Sequence, residues 1–123
     1  PGSSAWFERG FVTYSDAAKH DALGVDVQVL QFAGAVSEAV ARQMASGALA
    51  HSAADAALAV TGIAGPDGGS EDKPVGTVWF AWAVRDGSDA LVDTRLENFD
   101  GDRELVRELT VAHAMQGLLE RIT

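Results

Sequence analysis

The residues best suited to chemistry are two cations placed near helix starts and one threonine beside a glycine-rich loop. Lys19 falls in the opening turns of a helix predicted from Asp16 to about Leu23. The macrodipole is positive there, and a cation costs a few tenths of a kcal/mol up to about 1 kcal/mol. The same field favours the neutral amine, the form that accepts a proton. Tyr14 lies just before this helix, at the end of an expected strand. An amine and a phenol so placed offer a way to activate a serine without histidine. The plainer reading is a solvated Lys19 that pairs with nothing. Arg103 opens the last predicted helix. Helix N-termini bind anions, and a guanidinium there adds a two-pronged fork for phosphate. Its plainer reading is a surface arginine bridging to Glu104, worth little.

Thr61 ends an apolar run, Ala56 to Val60, and opens TGIAGPDGGSEDKP, with four glycines and two prolines in fourteen residues. Such a loop suits a backbone that needs positive φ or a close approach to something else. Thr61 and Gly62 are the residues best placed to offer a hydroxyl and backbone N–H groups to a ligand. Turn chemistry at Gly65-Pro66 and Asp67-Gly68-Gly69 accounts for the same glycines without any ligand.

Several chemistries are excluded by spacing. Lys73 is followed by Pro74 and a strand, so the loop is no P-loop, and GxGxxG is absent. His20, His51 and His113 lie on different predicted helices without HxxxH or HExxH spacing, which argues against zinc. Asp67, Glu71 and Asp72 match no EF-hand spacing and read as solvated loop charge. A serine nucleophile in a GxSxG turn is missing.

The elements that must position these residues follow in order. Ser4 to Ser15 reads as a loop and then a strand with Phe7, Phe11 and Val12 apolar. Ser15 is the expected cap of the first helix and Gly24 its terminator. Asp26 to Phe32 reads as a short helical turn. Ser37 caps a longer helix from Glu38 to about His51, with Val40, Met44 and Ala48 on one stripe and Ala41, Ala45 and Leu49 beside it. Strands are expected at Ala56 to Val60, at Val75 to Val84 and, at an edge, from about Leu91 to Phe99. The last helix runs from Asp102 to about Ile122, capped by Asp100, with Leu105, Leu109, Ala112, Met115, Leu119 and Ile122 as its apolar face.

A chain of 123 residues is one domain at most, and its 47% hydrophobic content is that of a globular fold. Eighteen acids against nine bases give a net charge of −9, which disfavours nucleic acid as a partner. Without cysteine there is neither a disulfide framework nor a thiolate site. No apolar run approaches the roughly 18 residues of a membrane span, and a cytoplasmic location fits.

The run Val60-Thr61-Gly62-Ile63-Ala64-Gly65-Pro66, then Gly68-Gly69 and Lys73-Pro74-Val75-Gly76-Thr77-Val78, resembles the C-terminal domain of the CinA family. Trp6 to Ser15 and Gly34-Ala35-Val36-Ser37 match the same family in the same order, so the resemblance covers essentially the whole chain. It implies an α/β fold of three layers, helix/mixed sheet/helix. It also implies amide hydrolysis, without metal or cofactor, of nicotinamide mononucleotide to nicotinate mononucleotide and ammonia. The family carries an upstream strand and helix with an AESCTGG segment whose serine is the expected nucleophile. Nothing in the present sequence corresponds to that segment, so an N-terminally truncated single domain is expected, with an unpaired edge where the strand would lie. The roles that carry over are Lys19 and Tyr14 as proton relay, Ser4 and Thr61 as substrate-positioning groups, and backbone N–H groups from Gly62 to Gly65 for the oxyanion or ribose. Arg103 is expected to take the phosphate. The expected partners are a pyridine nucleotide and, in a homo-oligomer, a second copy forming a dimer. A nucleotide-binding module without turnover, or a regulatory domain, is the alternative.

Overall fold

A computed structural model describes residues Pro1–Thr123. After a single 3-10 turn at Ser3–Ala5 the chain forms α1 (Asp16–Leu23), α2 (Val27–Ala33) and α3 (Glu38–Ala50). Three strands follow, β1 (Ala56–Gly62), β2 (Thr77–Asp86) and β3 (Asp89–Asn98), and α4 (Arg103–Ile122) closes the chain. The sheet order is β1-β2-β3. β1 pairs with β2 from Ala56↔Val84 to Gly62↔Val78, and β2 with β3 from Thr77↔Asn98 to Asp86↔Asp89. Both pairings are antiparallel, so no parallel pair of the expected mixed sheet lies within these residues.

Capping follows elementary hydrogen-bond accounting, since the first N–H groups of a helix need an acceptor from outside it. Ser15 Oγ accepts from the Ala18 N–H at 3.0 Å, and Gly24 ends α1 at φ 71°. Ser37 Oγ accepts from Val40 at 3.3 Å. Asp26 Oδ1 accepts from Gln28 at 2.7 Å, which turns the expected single turn into the seven-residue α2. Asp102, not Asp100, caps α4, its Oδ1 accepting from Leu105 at 2.9 Å.

The three-layer arrangement is present. On one face α3 lies across the strands, and its stripe forms a core with Leu23, Val25, Leu30, Ala59, Ala81 and Ala83. α1 and α2 pack outside α3. On the other face α4 covers Val78, Phe80 and Trp82. The α4 face differs from the apolar face expected from spacing: Val106, Ala114 and Gly117 are buried, whereas Leu105, Met115, Leu119 and Ile122 remain 41–52% exposed. The aromatic pair on β2 decides this. Phe80 and Trp82 stack at 5.8 Å, and the helix lies close above the Trp82 ring. A Cβ on Gly117 would come 2.2 Å from the Trp82 ring. Trp82 Nε1 donates to the Ala114 carbonyl at 3.0 Å, and the Arg121 guanidinium lies 4.0 Å over the same ring.

A second departure concerns the amino-terminal segment. No strand forms between Phe7 and Tyr14; the chain there is irregular and pairs with no edge. Val12 and Tyr14 are 95% and 93% exposed, and of the apolar residues that suggested a strand Phe11 alone packs against the α3 core. The segment is fastened by Arg9 Nη1 donating to the His51 carbonyl, by the Ala53 N–H donating to Glu8, and by Lys19.

Candidate functional site

The glycine-rich loop, residues 63–76, is the connection between β1 and β2. Its base is closed by main-chain bonds, Ile63 N–H to Thr77 O at 2.9 Å and Gly76 N–H to Ile63 O at 2.7 Å. Three side chains then tie it to distant elements. Thr61, 8% exposed, donates its hydroxyl to the Ala35 carbonyl at 2.8 Å, in the turn between α2 and α3. Lys73 Nζ donates to the Ala33 carbonyl at 2.7 Å in the same turn. On the other side, Arg103 Nη1 donates to the Gly65 carbonyl at 2.8 Å. Arg103 makes no ion pair, so its expected bridge to Glu104 does not form. Its guanidinium faces a recess lined by Ala64, Pro66, Val75, Gly101 and Glu104, at the first turn of α4.

Within the loop the donors divide clearly. The Ile63 N–H is committed to Thr77, while those of Ala64 and Gly65 meet no protein acceptor. Gly62 is glycine for a packing reason, since a Cβ there would lie 2.8 Å from Val78 Cγ2 and 2.9 Å from the Thr77 carbonyl. Ala64 and Gly65 are thus two of the expected Gly62 to Gly65 donors that no protein acceptor occupies.

Lys19 is buried, 6% exposed, and its ammonium is held by two main-chain carbonyls, Thr13 O at 2.8 Å and Tyr14 O at 3.1 Å. The solvated, unpartnered lysine is thus not what forms. The bond to Tyr14 is to its backbone; the phenol points into solvent. No hydrogen bond joins Lys19 to Thr61, Arg103 or the loop. Ser4 sits elsewhere, in a groove with Trp6, Phe7, Ala56, Leu58 and Ile122. Leu58 is three residues before Thr61, roughly 10 Å along β1, and Ile122 is at the opposite end of α4 from Arg103, roughly 28 Å away. The structure joins Arg103 to Gly65 and Thr61 to the turn before α3, on opposite sides of the loop, and leaves Ser4 and the Tyr14 hydroxyl away from both. Sequence spacing did not single out Lys73 or the Ala33–Ala35 turn. The signal available was Gly34, a glycine just past a helical segment.

No group of three or more His, Cys, Asp or Glu side chains stands together as a metal-binding set. No helix is long and apolar enough to cross a membrane.

The family model described as the CinA C-terminal domain matches residues 1–122. The Escherichia coli K12 protein named nicotinamide-nucleotide amidohydrolase PncC is 56% identical over 120 residues, covering 98% of this chain and 71% of that protein. A Pseudomonas putida protein of the same name is also 56% identical, with 98% and 72% covered. Among solved structures, the Agrobacterium tumefaciens competence/damage inducible protein CihA superposes with a TM-score of 0.89 at 48% identity, over 97% of this chain and 71% of that one. The Klebsiella pneumoniae competence damage-inducible protein A gives 0.90 at 43% identity, over 98% and 73%.

Proposed function

We propose that this chain, which belongs to the CinA C-terminal domain family, works as a nicotinamide-nucleotide amidohydrolase. The reaction converts nicotinamide mononucleotide and water to nicotinate mononucleotide and ammonia. The single observation that carries this reading is the identity shared over nearly the whole chain with proteins named for that activity. The site geometry is compatible with it. In the reading, a serine of the upstream AESCTGG segment attacks the carboxamide carbon; a tetrahedral oxyanion forms and collapses, expelling ammonia and leaving an acyl-serine ester. Water then attacks the ester carbon and returns the serine, releasing the carboxylate product.

Each residue of this chain has a part that follows from its setting. Lys19, as the neutral amine, takes the serine proton and delivers it to the leaving nitrogen; its two N–H groups on the Thr13 and Tyr14 carbonyls hold the lone pair in one direction. Tyr14 enters the same relay through the family resemblance, since its phenol is exposed and only its backbone carbonyl meets Lys19. The N–H groups of Ala64 and Gly65 are the donors free to meet an oxyanion or a ribose oxygen. Thr61 and Gly62 shape the wall beside them, and Arg103 offers the remaining edge of its guanidinium to the 5′-phosphate at the start of α4. Ser4 enters this reading through the family resemblance alone, since its groove holds none of the other candidates. A homodimer and a cytoplasmic location complete the reading. The exposed apolar side chains of Leu105, Val111, Met115, Leu119 and Ile122 on α4 are a surface of the kind a dimer contact uses.

The test is ammonia release from nicotinamide mononucleotide by the full-length protein, with Lys19→Ala as its control. Turnover lost while nucleotide binding persists supports the enzyme reading. Binding without turnover in the unaltered protein replaces it with a nucleotide-binding module, and absence of binding replaces it with a regulatory domain.

A further inference from the structure

The chain contains two lysines, and in the structure both place their ammonium on main-chain carbonyls, although eighteen acids are available. Lys73 is the less expected of the two. It follows Glu71 and Asp72 directly, yet forms an ion pair with neither. Its side chain instead reaches the Ala33 carbonyl, forty residues away in sequence. That carbonyl belongs to the last residue of α2, where the helix dipole is negative and a cation is favoured. Residue 34, beside this contact, is glycine. Its φ of 79° is left-handed, and a Cβ there would stand 3.3 Å from Lys73 Nζ.

The position of Thr61 gives this bond its meaning. Thr61 immediately precedes the loop and bonds Ala35; Lys73 is near its end and bonds Ala33. Both ends of the glycine-rich loop are thereby fastened to one turn, two residues apart. Between those anchors run Ala64 and Gly65, whose N–H groups are unpaired, and Gly65 is held from the far side by Arg103. The tip from Pro66 to Asp72 is exposed, so the frame must come from its ends.

We propose that Lys73 is a positioning residue for the hydrolysis: by bonding the α2 terminus it fixes the returning arm of the loop, and so holds the Ala64–Gly65 N–H pair at a set distance from Thr61. This rests on the amidohydrolase reading for its kinetic expression, while the anchor itself is testable without it. In the full-length protein, Lys73→Met is expected to raise KM for nicotinamide mononucleotide about tenfold, the effect of one hydrogen bond to a charged group. kcat should stay within about threefold, because an N–H pair that meets a ribose oxygen serves the ground state and the transition state alike. Lys73→Arg, which can still reach a carbonyl, should return KM to within about twofold of the unaltered protein. Combining Lys73→Met with Thr61→Val should cost less than the product of the two single effects, since both bonds hold one turn. An unchanged KM in Lys73→Met, or an Arg variant as impaired as the Met variant, overturns the proposal.

Limited digestion with a glutamate-specific protease reads the anchor independently of activity, through cleavage after Glu71. Faster cleavage in Lys73→Met than in the unaltered protein and Lys73→Arg is expected, with all three melting cooperatively. Equal rates overturn the anchor. If the unaltered protein releases no ammonia, the amidohydrolase reading fails and the digestion result still decides the role of Lys73.

Discussion

The two segments that carry the candidate residues are built very differently. The glycine-rich loop has almost no regular structure, yet Thr61, Lys73 and Arg103 tie its arms to the α2 terminus and to α4. The amino-terminal segment is rich in large side chains that a core would want, but Trp6, Phe7, Val12 and Tyr14 are 57–95% exposed. Polar side chains reaching backbone carbonyls hold the first region at both arms; in the second Arg9 and Lys19 do the same, while most of the apolar content stays uncovered. An irregular segment gains a fixed shape when its buried polar groups find directional partners; aromatic residues confer order only where a facing surface exists to cover them.

Substitutions at the two regions should separate accordingly. The largest effect is expected at Lys19, the one buried cation tied to the amino-terminal segment. Lys19→Ala in the full-length protein should lower kcat by about 10²- to 10⁴-fold, the usual range for losing a general acid or base, with nucleotide binding measured by calorimetry preserved. Next, Arg103→Ala should weaken binding of the mononucleotide by about 10- to 100-fold, as expected for a charge-assisted phosphate contact. The dephosphorylated riboside should be little affected, which distinguishes phosphate recognition from loosening of Gly65. Thr61→Val keeps the shape but leaves the Ala35 carbonyl unpaired, and chemical denaturation should show about 1–3 kcal/mol of lost stability. A comparable loss from Tyr14→Phe would show that the amino-terminal segment is held as firmly as the loop.

The smallest effect lies away from both regions and calibrates them. A hydrogen bond from Arg121, opposed by partial desolvation, holds the Asp93 carboxyl below the usual carboxylate range. A depressed acid contributes stability above its unfolded-state pKa, about 3.9, and that contribution is lost as pH falls through the lower folded-state value. Asp93 is largely exposed, so Asp93→Asn should cost no more than about 1 kcal/mol near neutral pH. The difference from the unaltered protein should vanish in melts taken below that folded-state value.

How much of this was legible in the sequence depended on the range of the interaction that decided each feature. Ser15, Gly24 and Ser37 mark helix ends through bonds spanning three or four residues, and all three act as the sequence indicates. The third strand lies at the sheet edge as its mixed composition implies. The cap of α4 shifted to Asp102 because two aspartates two residues apart offer the same chemistry. The buried face of α4 was misread because helical spacing registers hydrophobicity, whereas over Trp82 the helix fits only with glycine at 117 and turns Val106 and Ala114 inward. Phe7 to Tyr14 has strand composition but pairs with neither free edge of the sheet, and pairing is a property of two segments. Thr61 and Arg103 were identifiable by type and position. Their partners, the carbonyls of Ala35 and Gly65, were not, since a backbone acceptor leaves no mark in the sequence.

The measurement that bears most directly on the whole account is product analysis after incubating the full-length protein with nicotinamide mononucleotide. The account predicts ammonia and nicotinate mononucleotide in equal amounts, with both abolished together in Lys19→Ala while the substrate still binds. Tight binding of the mononucleotide with no ammonia released, and no difference between the unaltered protein and Lys19→Ala, would contradict it.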